Sequence, residues 1–158
     1  MADTLWEFAF ECYRRDGVAA CCLRLQDNAG ADVNMLLAAA WLAERHLCWQ
    51  HEQVRELLAR CTEWREYCIL PLRTVRRYLK GHDDLTLYAQ AKSLELDAEI
   101  HQLHVLHSVL SSMTLGSNTE SSTTRLTTNL QIYFDCLPAC EANISASDRN
   151  SLVALLTR

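Results

Sequence analysis

Apolar residues recur at helical spacing along almost the whole chain. Thr4-Leu-Trp-Glu7 has the form of a capping box, and Leu5, Phe8, Ala9 and Cys12 share one face behind it. Gly17 is the expected stop of this first helix. A second helix is expected over about Val18–Gln26. A third runs from Val33 to about Arg45, after a left-handed Gly30 and capped by Asp32. This third helix is apolar nearly all round from Met35 to Leu42, which predicts a central position. A fourth is expected over about His51–Cys68, with Val54, Leu57, Leu58, Cys61 and Trp64 as its stripe, and Pro71 interrupts or restarts it.

The segment Leu72–Lys80 places Leu72, Val75 and Leu79 on one side, expected to face the core. Arg73, Arg76, Arg77 and Lys80 then project from the other. Gly81-His-Asp-Asp84 reads as a turn and a cap for a long fifth helix, about Leu85–Met113. The stripe of that helix is Leu96, Ile100, Leu103, Leu106, Leu110 and Met113. Residues 116–124, rich in Ser and Thr, read as an exposed, flexible loop. Leu126, Leu130, Phe134 and Leu137 mark a sixth helix that stops near Pro138. Ser145 or Ser147 caps a last short helix with Leu152, Leu155 and Leu156 inward. No strand and no repeat is read. The expected fold is all-α: one helical domain over residues 1–158, a bundle of about six to seven helices.

Composition agrees with a globular chain: 49% hydrophobic and 22% charged among 158 residues. A net charge of −5 gives no general attraction to nucleic acid or to an anionic membrane. The longest apolar run, Met35–Ala43, is far shorter than the roughly 20 residues a membrane helix needs. Asp3 and Glu7 near the start do not resemble a signal peptide, so a cytoplasmic protein is expected. The eight cysteines form no Cys-x-x-Cys pair and sit among apolar neighbours, so they are expected to be reduced and mostly buried.

Candidate chemistry is sparse. His101, His104 and His107 fan across roughly 120° of one helix, too widely to converge on one metal. Cys136 and Cys140, and the group His46, Cys48 and His51, have no recognised ligand spacing. Asp83 and Asp84 are explained by helix capping. No catalytic glycine, serine or zinc motif is present, and no metal or cofactor is expected. What stands out is a polar knot of Gln26, Asp27, Asn28, Asp32 and Asn34 between two apolar helices. A second group, Trp64, Arg65, Arg73 and Arg76, lies around Pro71.

Two blocks carry a resemblance. One is Leu5-Trp6-Glu7-Phe8, Gly17-Val18, Cys22-Leu23-x-Leu25-Gln26-Asp27-x-x-Gly30-x-Asp32-Val33-Asn34-x-Leu36-Leu37 and Trp41. The other is Trp64-Arg65, Pro71-Leu72-Arg73 and Arg76. The pattern resembles a family of small uncharacterised proteobacterial proteins, an all-helical domain of unknown function of about this length. The resemblance implies a bacterial cytosolic protein and brings no activity with it.

The candidate binding residues are therefore Gln26, Asp27, Asp32, Asn34, Trp64, Arg65, Arg73 and Arg76. They make either a structural network of paired charges or a pocket for an anionic ligand or the tail of a partner. The expected function is a non-enzymatic helical module acting on a protein partner. The alternative is a protein or enzyme that binds a small anion with an Asp/Arg pocket.

Overall fold

The computed structural model describes residues 2–138 and 144–157. The helix apolar on all sides, α3 (Val33–Glu44), is buried from Asn34 to Ala43. Around it pack α1 (Leu5–Tyr13), α2 (Val18–Ala29), α6 (Leu85–Ser112) and α7 (Ser122–Asp135). The last helix, α8 (Ala146–Leu156), lies on α2 and α7. Between α3 and α6 run α4 (His51–Trp64), a π-helical segment (Arg65–Ile69) and α5 (Leu70–Leu79) without a break. Counting that stretch as one rod, the described residues form seven helical rods. The fold is all-α.

The caps form as the sequence implies. Thr4 and Glu7 make a reciprocal capping box, Asp32 accepts from the Asn34 N–H, and Asp84 accepts from the Leu87 N–H. Three local expectations are corrected. First, α1 ends at Tyr13, and Gly17 (φ 85°) instead starts α2, with the Leu155 side chain 3.4 Å from where a Cβ would stand. Second, α2 continues through Asp27 and Asn28 to Ala29, because left-handed Gly30 and then Ala31 return their N–H groups to Gln26 and Leu25. Third, a two-residue antiparallel bridge is present: β1 (Leu47–Cys48) pairs with β2 (Gly116–Ser117). The Ser/Thr-rich segment is thus tied at its start. Its end is helix, because Ser121 accepts from the Thr124 N–H and caps α7. Short polar side chains suit caps as well as loops, so composition alone misplaced them.

The faces of α5 and α6 also differ from expectation. Val75 is 48% exposed, Leu72 and Leu79 are only half-buried, and Arg73 is the buried residue of α5. The π segment is the cause. The Leu70 N–H bonds to the Arg65 carbonyl, five residues back, and the extra residue turns everything downstream by about 100°. The wider turn also accommodates Pro71, which has no N–H to give. On α6 the buried line is Ala91, Glu95, Ala98, Gln102, Leu103, Leu106 and Leu110, while Leu96 is exposed.

Buried polar groups fasten the shell to α3. Asn129 donates to the Ala39 and Leu47 carbonyls at 3.1 Å and accepts from the Trp49 N–H. The Trp49 indole donates to the Asn129 carbonyl. Arg125 donates to the Ala43 carbonyl at the end of α3. The three histidines of α6 each meet aromatic neighbours: His101 lies by Trp64, His104 by Trp6, and His107 between Trp6 and Trp41. His107 Nδ1 accepts the Leu5 N–H at the start of α1. Burial, then the Arg45 and His104 charges, push its pKa down.

Asn129→Ala strands several buried groups at once and should cost about 3 kcal/mol, read by urea unfolding. His107 resists protonation in the folded state, so its contribution is intact above the ordinary value of about 6.5. That contribution is lost as pH falls below it. The melting temperature should drop between pH 7 and pH 5, and His107→Gln should flatten that part of the profile.

Candidate functional site

Asp32 is buried at the start of α3 and meets four elements. Its N–H donates to the Tyr133 hydroxyl of α7 at 2.7 Å. Its Oδ1 accepts from the Asn34 N–H at 3.0 Å, and its Oδ2 accepts from the Gln102 amide of α6 at 2.8 Å. Arg65, at the head of the π segment, approaches Oδ2 at 3.5 Å. Asn34 crosses to α6 as well. Its amide donates to the Gln102 side chain at 2.7 Å and to the Glu99 carbonyl at 3.1 Å. Asp32 and Asn34 of the polar knot are therefore clamped onto α6, beyond local capping duty.

The cations of α5 find partners one turn apart on α6. Arg73 donates from Nε to Glu95 at 3.0 Å and from Nη2 to Glu99 at 2.9 Å. Arg76 donates to the same Glu95. Burial opposes charge on Glu95, but hydrogen bonds from Arg76 and Arg73 prevail and hold its pKa below the usual value. For Glu99 burial wins over Arg73, and the nearby Glu95 and Asp32 charges add to it, so its pKa is raised. Arg77 pairs with Asp27 at the surface, at 3.3 Å.

These elements leave a cavity of about 330 Å³ between α1, the α2–α3 turn, the π segment, α5 and α6. Gln26, Asp32, Asn34, Arg65, Arg73 and Arg76 all line it. Asp27 and Trp64 do not. Asp27 stays at the surface with Arg77, and the Trp64 indole donates to the Ala98 carbonyl and lies against His101. Sequence reasoning missed Glu95, Glu99 and Gln102, which supply the counter-charges and the amide link. Their spacing of four and three residues on one helix face, inside an otherwise apolar stripe, was the available signal. Five cations (Arg65, Arg73, Arg76, Arg77 and Lys92) and three carboxylates (Asp32, Glu95 and Glu99) line the walls, beside Phe10, Leu37, Ile69 and Leu103.

A model of a protein family matches residues 4–106. The chain belongs to that family, DUF2390, described as a protein of unknown function. The match bears out the resemblance to a helical domain of unknown function. Every residue that lines the cavity, from Ala9 to Leu103, falls inside the segment matched to DUF2390. No curated protein and no solved structure matches the chain. In this DUF2390 protein, no helix among the described residues is long and apolar enough to cross a membrane.

The other candidate groups have structural surroundings. Cys12, Cys21, Cys22 and Cys61 are buried, and the seven described cysteines are free thiols. Burial pushes the pKa of Cys22 up to about 12 and those of Cys12 and Cys61 to about 11, which removes thiolate character at neutral pH. The Asn118 amide donates to Cys48, and His51 faces Asp135 at 3.1 Å. Cys140 lies outside the described residues, so its spacing to Cys136 is not placed.

Glu95 holds two guanidinium groups in a largely buried position. Glu95→Gln should therefore lower stability by about 3 kcal/mol at pH 7, because two cations lose their carboxylate. The folded pKa of Glu95 is depressed, so its contribution is present above the unfolded value of about 4.3 and fades as pH falls through the folded one. The variant should lose less stability than the parent between pH 5 and pH 3, measured by denaturant unfolding.

Proposed function

We propose that this protein is a helical binding module for a small organic anion, held in the cavity between the α2–α3 turn, the π segment, α5 and α6. The observation that carries this reading is the charge of the lining, five cations against three carboxylates on a protein that is net negative. The volume is at the lower end for small-molecule sites. The remaining walls are mostly apolar, with Gln26, Asn34 and Gln102 among them, and apolar surroundings strengthen an ion pair formed inside. A soluble, cytoplasmic module is the setting in which we read it.

A second reading, a module that docks a protein partner, has one specific support. Val75, Tyr78, Leu87 and Leu94 are exposed along a groove between α5 and α6 on the outer side of this pair. A partner's amphipathic helix fits a two-helix groove of this kind. The groove offers Thr74, Gln90 and the Tyr78 hydroxyl as polar groups and no charged side chain, so it has little with which to select a partner. The cavity is the better-specified site.

The test is a thermal-shift comparison of carboxylates, phosphates and neutral analogues at low salt. A ligand at about a hundred times its dissociation constant adds about 2.7 kcal/mol. For a chain of this size that is a rise of roughly 5–10 °C. We expect at least one anion to give such a rise, its neutral analogue to give none, and 0.5 M salt to reduce it. Lys92→Glu, at the exposed rim, should weaken the effect severalfold. No shift with any anion, or equal shifts with neutral analogues, contradicts the reading.

A further inference from the structure

The cations of the cavity are not equally committed. Arg73 spends two separate nitrogens on Glu95 and Glu99, Arg76 is bound to Glu95, and Arg77 is paired with Asp27. Arg65 differs. Among the described residues its side chain has one polar contact, the 3.5 Å approach to Asp32 Oδ2. That oxygen already holds the shorter bond from Gln102, and the other carboxylate oxygen caps α3. The five-donor fork of Arg65 is thus largely unfilled in the wall of a cavity. Lys92, at the rim, has no ion pair among the described residues.

We infer that the cavity takes a monocarboxylate with an apolar body, its carboxylate seated on Arg65 and its body against Leu37, Ile69, Ile100 and Leu103. The inference rests on the anion-binding reading above and narrows it. A planar carboxylate matches one guanidinium fork with two parallel hydrogen bonds. A phosphate dianion fits poorly, because Asp32, Glu95 and Glu99 face the same space and only one fork is open to it. The apolar walls ask for an apolar body, which Arg65 alone holds by its head. At roughly 30 Å³ per water-sized group, the 330 Å³ cavity holds about ten or eleven such groups. Octanoate, with about ten non-hydrogen atoms, is a ligand of that size.

The test is calorimetric titration and thermal shift of the whole chain with octanoate, inorganic phosphate and octanol. Octanoate should bind and raise the melting temperature, and phosphate and octanol at equal concentration should not. Arg65→Gln should weaken octanoate at least about tenfold. Arg65→Lys, which keeps the charge without the fork, should fall between. Arg60→Gln, on the far-exposed face of α4, should leave affinity unchanged. Should the Arg65 variants not fold, Leu96→Trp at the exposed mouth should itself weaken octanoate about tenfold. Phosphate binding without octanoate binding overturns this inference and leaves the anion-binding reading standing. Octanoate binding that neither Arg65→Gln nor Leu96→Trp weakens overturns both, because the ligand then lies outside the cavity. Octanol binding as well as octanoate overturns both, and no binding by either anion overturns this inference.

Discussion

Asp32 is where the structure is joined. A carboxylate buried at a helix start is tolerable only if its oxygens and its backbone are fully engaged. Here α3 supplies its own N–H, α6 supplies the Gln102 amide, and α7 supplies the Tyr133 hydroxyl for the backbone. The last two contacts fix the α2–α3 turn against helices from later parts of the chain. With the turn fixed, the cavity is the space left beside it between α1, the π segment, α5 and α6. The neutral partners of Asp32 matter as much as their number. Because Gln102 and the helix amide satisfy it, the cation nearest to it is not consumed.

Ion pairs between α5 and α6 do a different job. Glu95 binds both Arg73 and Arg76, and this largely buried cluster ties the two helices together on the cavity side. Such a cluster is a costly way to hold two helices together, since burial penalises every charge in it. It does fix their register, and it sets carboxylates and guanidinium groups around the cavity at defined heights. With the π turn setting Arg73 on the inner side, Val75 and Tyr78 face solvent.

What was legible in the sequence was what depends on nearby residues. Thr4, Asp32 and Asp84 read as caps because capping is decided within three residues, and α3 read as central because its own composition allows no solvent-facing side. Gln26, Asp32, Asn34, Arg65, Arg73 and Arg76 stood out by type, and they line one cavity. Three things were not legible. The π turn depends on how Pro71 is accommodated, and it rotated Arg73 inward against the apparent apolar face of α5. The roles of Glu95, Glu99 and Gln102 depend on contacts made from 19 to 70 residues away in sequence. The exposure of Leu96 follows from the cavity itself, which no periodicity announces.

The central claim is that Arg65 is held in reserve while the other arginines are structural. A pair of double-mutant cycles for unfolding measures that most directly, one for Asp32 with Arg65 and one for Glu95 with Arg73. The account predicts a coupling below about 1 kcal/mol for Asp32 and Arg65, since the approach is long and Asp32 is otherwise satisfied. It predicts about 2–3 kcal/mol for Glu95 and Arg73, which are buried together. Equal, large couplings in both cycles would contradict it: the arginines of the cavity wall would then be committed to its carboxylates, and none would be left to seat a ligand.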